Sequence, residues 1–75
     1  MYCGWYDPDK KKPTKTKLDD AIERYVEKFG EYPEEALVNS AAVAEIGEHD
    51  LIITGVNYIP VNTFYVGNND EIQHG

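Results

Sequence analysis

The apolar residues that follow Thr16 recur with the period of an α-helix. Spacings of four, three, one and three residues place five of them on one side of such a helix: Leu18, Ile22, Tyr25, Val26 and Phe29. Thr16 is a residue type that caps helices, and Asp19 and Asp20 add the negative charge that favours a first turn. Gly30 suits a left-handed stop. The pattern therefore predicts a helix over residues 17–29.

Three short apolar runs in the second half of the chain predict β-strands: residues 35–39 (EALVN), 50–56 (DLIITGV) and 63–67 (TFYVG). Gly55 in the second run suggests a bulge, because glycine inside a strand often marks one. The turn at residues 59–62 (IPVN) separates the second run from the third. We therefore expect these two strands to pair as an antiparallel hairpin.

An alanine-rich stretch, residues 41–46, predicts a short helix between the first two strands, with Ser40 as its N-cap. The connection is close to the shortest that joins parallel strands, so parallel and antiparallel pairing both stay open. Whether residues 2–6 add an edge strand also stays open. These elements predict an α+β fold, in which one long amphipathic helix and one short helix pack on a small three- or four-stranded mixed sheet.

The length of the chain limits the size of its core. Its 75 residues are expected to form one domain, which buries only about 60% of the surface that the unfolded chain exposes. We expect residues 1–15 to form a flexible N-terminal segment and residues 68–75 to fray. Self-association into a homo-oligomer would add buried area to so small a core.

Charge is distributed unevenly along the chain, whose formal net charge is −7. Residues 1–28 contain all seven basic side chains and six acidic ones, whereas residues 29–75 contain eight acidic side chains and no Lys or Arg. Such a chain repels the phosphate backbone over most of its surface, so we expect no direct nucleic-acid binding. A protein with a basic surface is the better-matched partner.

The apolar runs predict neither a leader nor a membrane segment. The longest aliphatic runs, residues 41–44 and 51–53, are far shorter than the roughly 20 residues of a membrane span. Residues 1–17 contain no apolar centre of a signal peptide. Cys3 is the single cysteine and has no partner for an internal disulfide, which favours a reducing cytoplasm.

Four segments of the chain resemble small, functionally uncharacterised proteins of bacterial and phage genomes. They are WYDPDKK, the helix K-L-x-x-A-I-x-R-Y-x-E-K-F-G, the strand A-L-V-N with the alanine-rich helix after it, and I-P-x-N-x-F-Y-V-G, which together cover residues 5–67. The resemblance implies a phage or mobile-element origin. It implies no activity, cofactor or site residue.

Five of the seven basic residues precede or begin the predicted helix: Lys10, Lys11, Lys12, Lys15 and Lys17. Cations at a helix N-terminus oppose the helix dipole, which suggests that an anion such as phosphate binds among them. The alternative is an exposed tether whose lysines pair with nearby aspartates, and the flanking Pro8 and Pro13 favour it. Asn39 and Ser40 form a second anion-friendly corner, where a strand passes into a helix. For Ser40 the role of an N-cap is favoured.

The aromatic pair Trp5 and Tyr6 lies just before the lysines and could stack on a base or contact a partner. In so small a domain, such side chains more often cover the edge of the core. Catalysis has little support, because Ser40 is the only serine and neither His49 nor His74 has the spacing of a triad. No His or Cys spacing matches a metal site, so we expect neither enzyme activity nor a metal or cofactor.

These observations predict a non-catalytic interaction module that presents acidic side chains to a basic site on another protein. A phage-type inhibitor of a host nucleic-acid-handling complex would have this form, because its carboxylates occupy the places of phosphates. The alternatives are a small-anion or nucleotide binder and a structural subunit of a phage-like assembly. The candidate binding residues are Trp5, Tyr6, Lys10, Lys11, Lys12, Glu31, Glu34, Glu35, Glu45, Glu48 and Asp50.

Overall fold

A computed structural model describes residues 2–68, in which four strands and two helices form two layers. Their order along the chain is β1 (Tyr2–Tyr6), α1 (Thr14–Phe29), β2 (Glu35–Asn39), α2 (Ala42–Ile46), β3 (Ile52–Val56) and β4 (Thr63–Gly67). The strands form one mixed sheet in the order β1-β4-β2-β3, in which β2 and β3 are parallel and β4 is antiparallel to both of its neighbours. The predicted α+β class is confirmed. The tail expected to fray lies, from residue 69 onward, outside the described residues.

The predicted hairpin of β3 and β4 is wrong. β4 instead lies between β1 and β2, where Phe64 is opposite Trp5 on one side and Val38 on the other. This position buries both Phe64 and Val66 of β4 beneath α1. β3 is the edge strand on the far side of β2, so pairing with β3 would leave these two side chains farther from the helix. Burial of apolar area therefore outweighs the short connection that favours a hairpin.

α1 begins three residues earlier than predicted, at Thr14. Pro13 occupies the N-cap position with φ −59°, a value suited to entering a helix. Its carbonyl accepts a hydrogen bond from Lys17 N–H at 3.1 Å. Thr16 therefore lies inside the first turn and is not the cap, and the Asp19-Asp20 pair lies beyond that turn. Neither of the two described helices could serve as a membrane span.

The N-cap role predicted for Ser40 is also wrong, because α2 begins at Ala42 without a side-chain cap. The Ser40 hydroxyl donates a hydrogen bond to Asn57 Oδ1 at 2.5 Å. Asn39 holds the start of the helix instead, since its Oδ1 accepts the Ala41 N–H at 3.0 Å. The strand-to-helix corner is therefore fixed by the last residue of β2.

Gly55 permits a close approach of α2 to the sheet and does not form the predicted bulge. It remains in register, opposite Val38 of β2. A Cβ built at this position would lie 2.8 Å from Val43 Cγ2 and 3.1 Å from Ser40 Cα. Only glycine leaves room for α2 to pack directly on β3.

The side chains of the sheet divide between two sides, which we call the inner face and the open face. The inner face packs against both helices and consists of Cys3, Trp5, Ala36, Val38, Ile53, Gly55, Phe64 and Val66. The helices complete the core with Leu18, Ala21, Ile22, Tyr25, Ala42 and Ile46. The alternating strand residues form the open face: Tyr2, Gly4, Tyr6, Glu35, Leu37, Ile52, Thr54, Val56, Thr63, Tyr65 and Gly67. Neither described helix covers the open face.

Candidate functional site

The strand register aligns the open-face residues in rows that cross the sheet. One row consists of Tyr2, Gly67, Glu35 and Ile52, and the next consists of Gly4, Tyr65, Leu37 and Thr54. Tyr6 and Thr63 continue the surface on the β1–β4 side, and Val56 continues it on β3. Aromatic and aliphatic groups therefore lie side by side across all four strands.

Apolar side chains on the open face remain in contact with water. Ile52 is 67% exposed and Tyr6 is 66% exposed, although both belong to strands. Tyr2 and Tyr65 are also exposed, and Leu37 is half-buried. Isolated exposed apolar residues are common on proteins, but a contiguous set is typical of a binding surface.

Gly4 makes room for the ring of Tyr65 on the open face. A Cβ built at Gly4 would lie 3.0 Å from Tyr65 Cε1 and 3.4 Å from Cδ1, so the ring lies against the backbone of β1. Tyr2 and Tyr6 are the neighbours of Gly4 on the same side of that strand. Three tyrosines therefore form one aromatic surface over β1 and β4.

The charge that the strands place on the open face is acidic. The four strands contain no Lys or Arg, and Glu35 is their only acidic residue. The Tyr2 hydroxyl donates a hydrogen bond to Glu35 Oε2 and so holds this carboxylate in place. Glu34 and Asp50 are exposed shortly before β2 and β3 begin, and Glu34 O accepts the Ile52 N–H at 3.1 Å. The start of the two parallel strands is therefore acidic.

The other predicted acidic residues lie away from the open face. Glu31 Oε1 accepts a hydrogen bond from Asn68 Nδ2 at 2.8 Å. Glu45 lies on α2, where its Oε1 accepts the Thr14 hydroxyl at 2.6 Å. Glu48 lines a depression beside α1 with Lys15, Asp19, Tyr32, His49 and Asp50. The six predicted acidic residues do not form one surface, because Glu35 and Glu45 belong to opposite layers.

The lysine-rich loop between β1 and α1 contains two consecutive turns held by aspartates. Asp7 Oδ1 accepts the Asp9 N–H at 3.0 Å, and Asp9 Oδ1 accepts the Lys11 N–H at 2.9 Å. Asx turns of this kind fix the backbone locally. The side chains of Lys10 and Lys11 remain exposed on this loop.

Lys12 connects the loop to α1 through two ion pairs. Its Nζ lies 2.9 Å from Asp7 Oδ2 and 2.9 Å from Asp20 Oδ2. The hydrogen bond from Lys12, together with that from Asp9 N–H, lowers the pKa of Asp7 below its usual value. In return, the hydrogen bonds to Asp20 and Asp7 raise the pKa of Lys12. We call Asp7, Lys12 and Asp20 the Lys12 clamp.

The predicted aromatic pair is divided between the two faces of the sheet. Trp5 packs against the core, and its Nε1 has no hydrogen-bond partner among residues 2–68. Tyr6 lies at the end of the open face. Because neighbours in a strand point to opposite sides, the two rings cannot enclose one ligand.

His49 links the loop after α2 to α1. The Leu51 N–H donates to His49 Nδ1 at 3.1 Å, so the ring proton lies on Nε2, which donates to Asp19 Oδ1 at 3.2 Å. Both ring nitrogens of His49 are therefore engaged. Within the part of the chain that the structure describes, no three His, Cys, Asp or Glu side chains are grouped so that they could hold a metal ion.

The sequence indicates only part of the open face. Its candidate residues include Tyr6 and Glu35 and omit Tyr2, Ile52 and Tyr65. The available signal was the alternation within the strands, since a strand that buries every second residue presents the others to the opposite side. No protein-family model, curated protein or solved structure matches this chain, so the open face is interpreted from its own chemistry.

Proposed function

We propose that this chain is a non-catalytic interaction module whose open face docks on a basic surface of another protein. The observation that carries the proposal is the contrast between the layers: both described helices pack on the inner face, and Tyr6 and Ile52 on the other side stay exposed. A partner that covered the open face would remove this apolar area from water, which favours association.

The side chains of the open face favour a partner rich in arginine. A guanidinium group is attracted to the faces of tyrosine rings, and it pairs with a carboxylate such as Glu35 through two hydrogen bonds. The net charge of −7 also steers a basic partner toward the chain. Proteins that bind nucleic acids present surfaces of this kind, because Lys and Arg neutralise phosphates.

A second copy of the chain is a less favourable occupant of the open face. Two copies would bring together two chains that each have a net charge of −7. Their strands contain no Lys or Arg that could pair with Glu35 of the other copy. Association of like charges opposes such a dimer, most strongly at low salt.

The size of the open face indicates how much more surface the partner must cover. Four strands about 4.8 Å apart, with five residues of about 3.3 Å each, span roughly 14 Å by 16 Å. A standard interface covers about 800 Å² on each partner, which is more than this rectangle. The partner therefore also contacts residues beyond the four strands.

The proposal is tested by immobilising the chain and matched variants of it, and comparing the proteins that each one retains. Ile52→Lys places a cation on the open face, and Val26→Lys places the same cation on the exposed side of α1. We expect the wild type and Val26→Lys to retain the same basic protein in about 50 mM salt and to release it in about 500 mM salt. Ile52→Lys should retain at least about tenfold less.

Two results would contradict the proposal. Equal retention by Ile52→Lys and Val26→Lys would show that the open face is not the docking surface. If the immobilised chain retained only free copies of the same chain and no basic protein, the role of an assembly subunit would be favoured instead. Sedimentation at several concentrations would then show a dimer or a larger species.

A further inference from the structure

A cavity of about 330 Å³ opens between the loop that precedes α1, the end of β2, α2 and the connection from β3 to β4. It lies outside the open face, on the side of the molecule where the helices begin. The charged and amide side chains that line it are Lys10, Lys12, Lys17, Asn39, Asn62 and Glu45. The cavity therefore joins the lysine segment and the Asn39 corner, the two regions in which the sequence suggests anion binding.

Lys17 is the most informative residue of this cavity. Its side chain is only 4% exposed, and its Nζ donates one hydrogen bond, to Asn62 Oδ1 at 2.8 Å. Among residues 2–68, no carboxylate pairs directly with this ammonium group; Asp7, whose pKa Lys17 helps to lower, acts on it only from beyond ion-pair distance. A buried charge is normally balanced by an opposite charge. The cavity is the place from which such a charge can reach Lys17.

The hydrogen-bond partner of Lys17 is itself fixed by the fold. Asn62 has φ 63°, in the left-handed region that asparagine tolerates better than most residues. Its backbone oxygen accepts the Asp7 N–H at 3.0 Å, which ties the β3–β4 connection to the loop after β1. The position of Lys17 is therefore set before any ligand arrives, which lowers the ordering cost of binding.

The three lysines of the cavity differ in whether their charge is already paired. Lys12 is held by Asp7 and Asp20 in the Lys12 clamp and is already neutralised. Lys10 is exposed and makes no ion pair with another described residue. The charges available to a ligand are therefore those of Lys10, at the mouth of the cavity, and Lys17, at its wall.

We propose that this cavity binds a small phosphate monoester, with its phosphate group between Lys10 and Lys17. The free N–H groups of the first turn of α1 add donors, because the helix has neither a side-chain cap nor an acidic residue in that turn. The Glu45 carboxylate repels the phosphate group. It can accept a hydrogen bond from a hydroxyl group on the organic part of the monoester. This site is independent of the docking role of the open face.

The test uses glycerol 3-phosphate and inorganic phosphate as probes, with calorimetry on the full chain at constant ionic strength. We expect saturable binding of glycerol 3-phosphate, and weaker binding of inorganic phosphate because it offers no glycerol hydroxyl to Glu45. Lys10→Met should lower the affinity about tenfold, and Lys17→Met should lower it further. Lys15, like Lys17, is a lysine of α1, but it lies outside the cavity. Lys15→Met should therefore change the affinity less than about twofold.

Because Lys17 is buried, its replacement could disturb the fold, and circular dichroism checks the variant before titration. Lys10 is exposed, so Lys10→Met carries the test if Lys17→Met does not fold. Absence of saturable binding up to about 10 mM of either probe would overturn the proposal. Equal losses in Lys10→Met and Lys15→Met would overturn it too, because they would indicate diffuse attraction by surface charge. Equal affinity for both probes would exclude the monoester as the ligand.

Discussion

The inner and open faces belong to the same four strands but are used differently. On β4, Phe64 is 1% exposed on the inner face, whereas Tyr65 next to it is 39% exposed on the open face. The inner residues are covered by α1 and α2, so the free energy of folding depends on them. The open-face residues are covered by neither described helix, so their apolar surface remains available for binding.

The largest difference between the faces is expected for neighbouring aromatic residues of β4. Phe64→Ala should lower the free energy of unfolding by about 3–5 kcal/mol, because it leaves a cavity in the core. Tyr65→Ala should lower it by about 1 kcal/mol, because that ring is already partly in water. Urea titration of both variants measures the difference. Equal losses would place the open face within the core.

Substitution of Gly55 and Gly4 compares how tightly side chains pack against the strand backbone on the inner face and on the open face. Gly55→Ala should destabilise the protein by about 1–3 kcal/mol, because its Cβ meets Val43 and the backbone of Ser40 on the inner face. Gly4→Ala should cost less than about 1 kcal/mol, because its Cβ meets only the Tyr65 ring, which can rotate away. Thermal unfolding monitored by circular dichroism ranks the two variants. A larger loss for Gly4→Ala would mean that Tyr65 is held as rigidly as the core.

Acid should weaken the Lys12 clamp, which ties the loop after β1 to α1. Asp7 has a pKa below its usual value of 3.8 in the folded protein, so the Lys12 clamp stabilises the fold above that pH and is lost as pH falls through the lower, folded value. Lys12 has a raised pKa, so its contribution is complete below 10.5 and disappears as pH rises through the higher, folded value.

Asp7→Asn tests this dependence. The variant should be less stable than the wild type at neutral pH, and the difference should shrink as pH falls below 3.8, because the wild-type carboxyl then becomes neutral as well. Urea midpoints across the acidic range measure it. Glu35→Gln, on the open face, serves as the matched control. A difference that stayed constant with pH would contradict the assigned role of Asp7.

The smallest expected change in stability is that of Ile52→Lys, which is compared with the same substitution at the neighbouring Ile53 of β3. Ile52→Lys should alter the free energy of unfolding by no more than about 0.5 kcal/mol, because Ile52 lies on the open face. Ile53→Lys should cost more, because Ile53 packs against the core. Denaturant unfolding of the pair checks the assignment of the two faces. The reverse order would require a different register for β3.

The sequence predicts the elements of the inner face well. The bounds of β2 and β4 are confirmed, and so is the apolar stripe of α1 except for Val26, which is exposed, because residues that face a core leave a clear pattern. The sequence leaves β1 open, since its residues lie at the edge of the sheet and none is fully buried. The sequence pattern predicts the start of α1 three residues too late, because Pro13 begins the helix by its backbone geometry and not through a side-chain cap.

The arrangement of the strands and the sites could not be predicted in the same way. A short connection favours pairing of β3 with β4, and only the burial of β4 beneath α1 places it elsewhere. The contact between Lys17 and Asn62 joins residues 45 positions apart, so it depends on that arrangement. The candidate acidic residues share only their charge, and charge does not indicate the layer in which Glu35 or Glu45 lies.

The most direct test of the docking proposal uses the tyrosines as probes on the intact chain. Six tyrosines labelled with fluorine give separate NMR signals, of which Tyr2, Tyr6 and Tyr65 report on the open face. Tyr25 in the core and Tyr32 beside α1 are the internal references. On addition of the basic protein retained in the capture experiment, the three open-face signals should shift and those of Tyr25 and Tyr32 should not. A shift of Tyr32 with unchanged open-face signals would contradict the account.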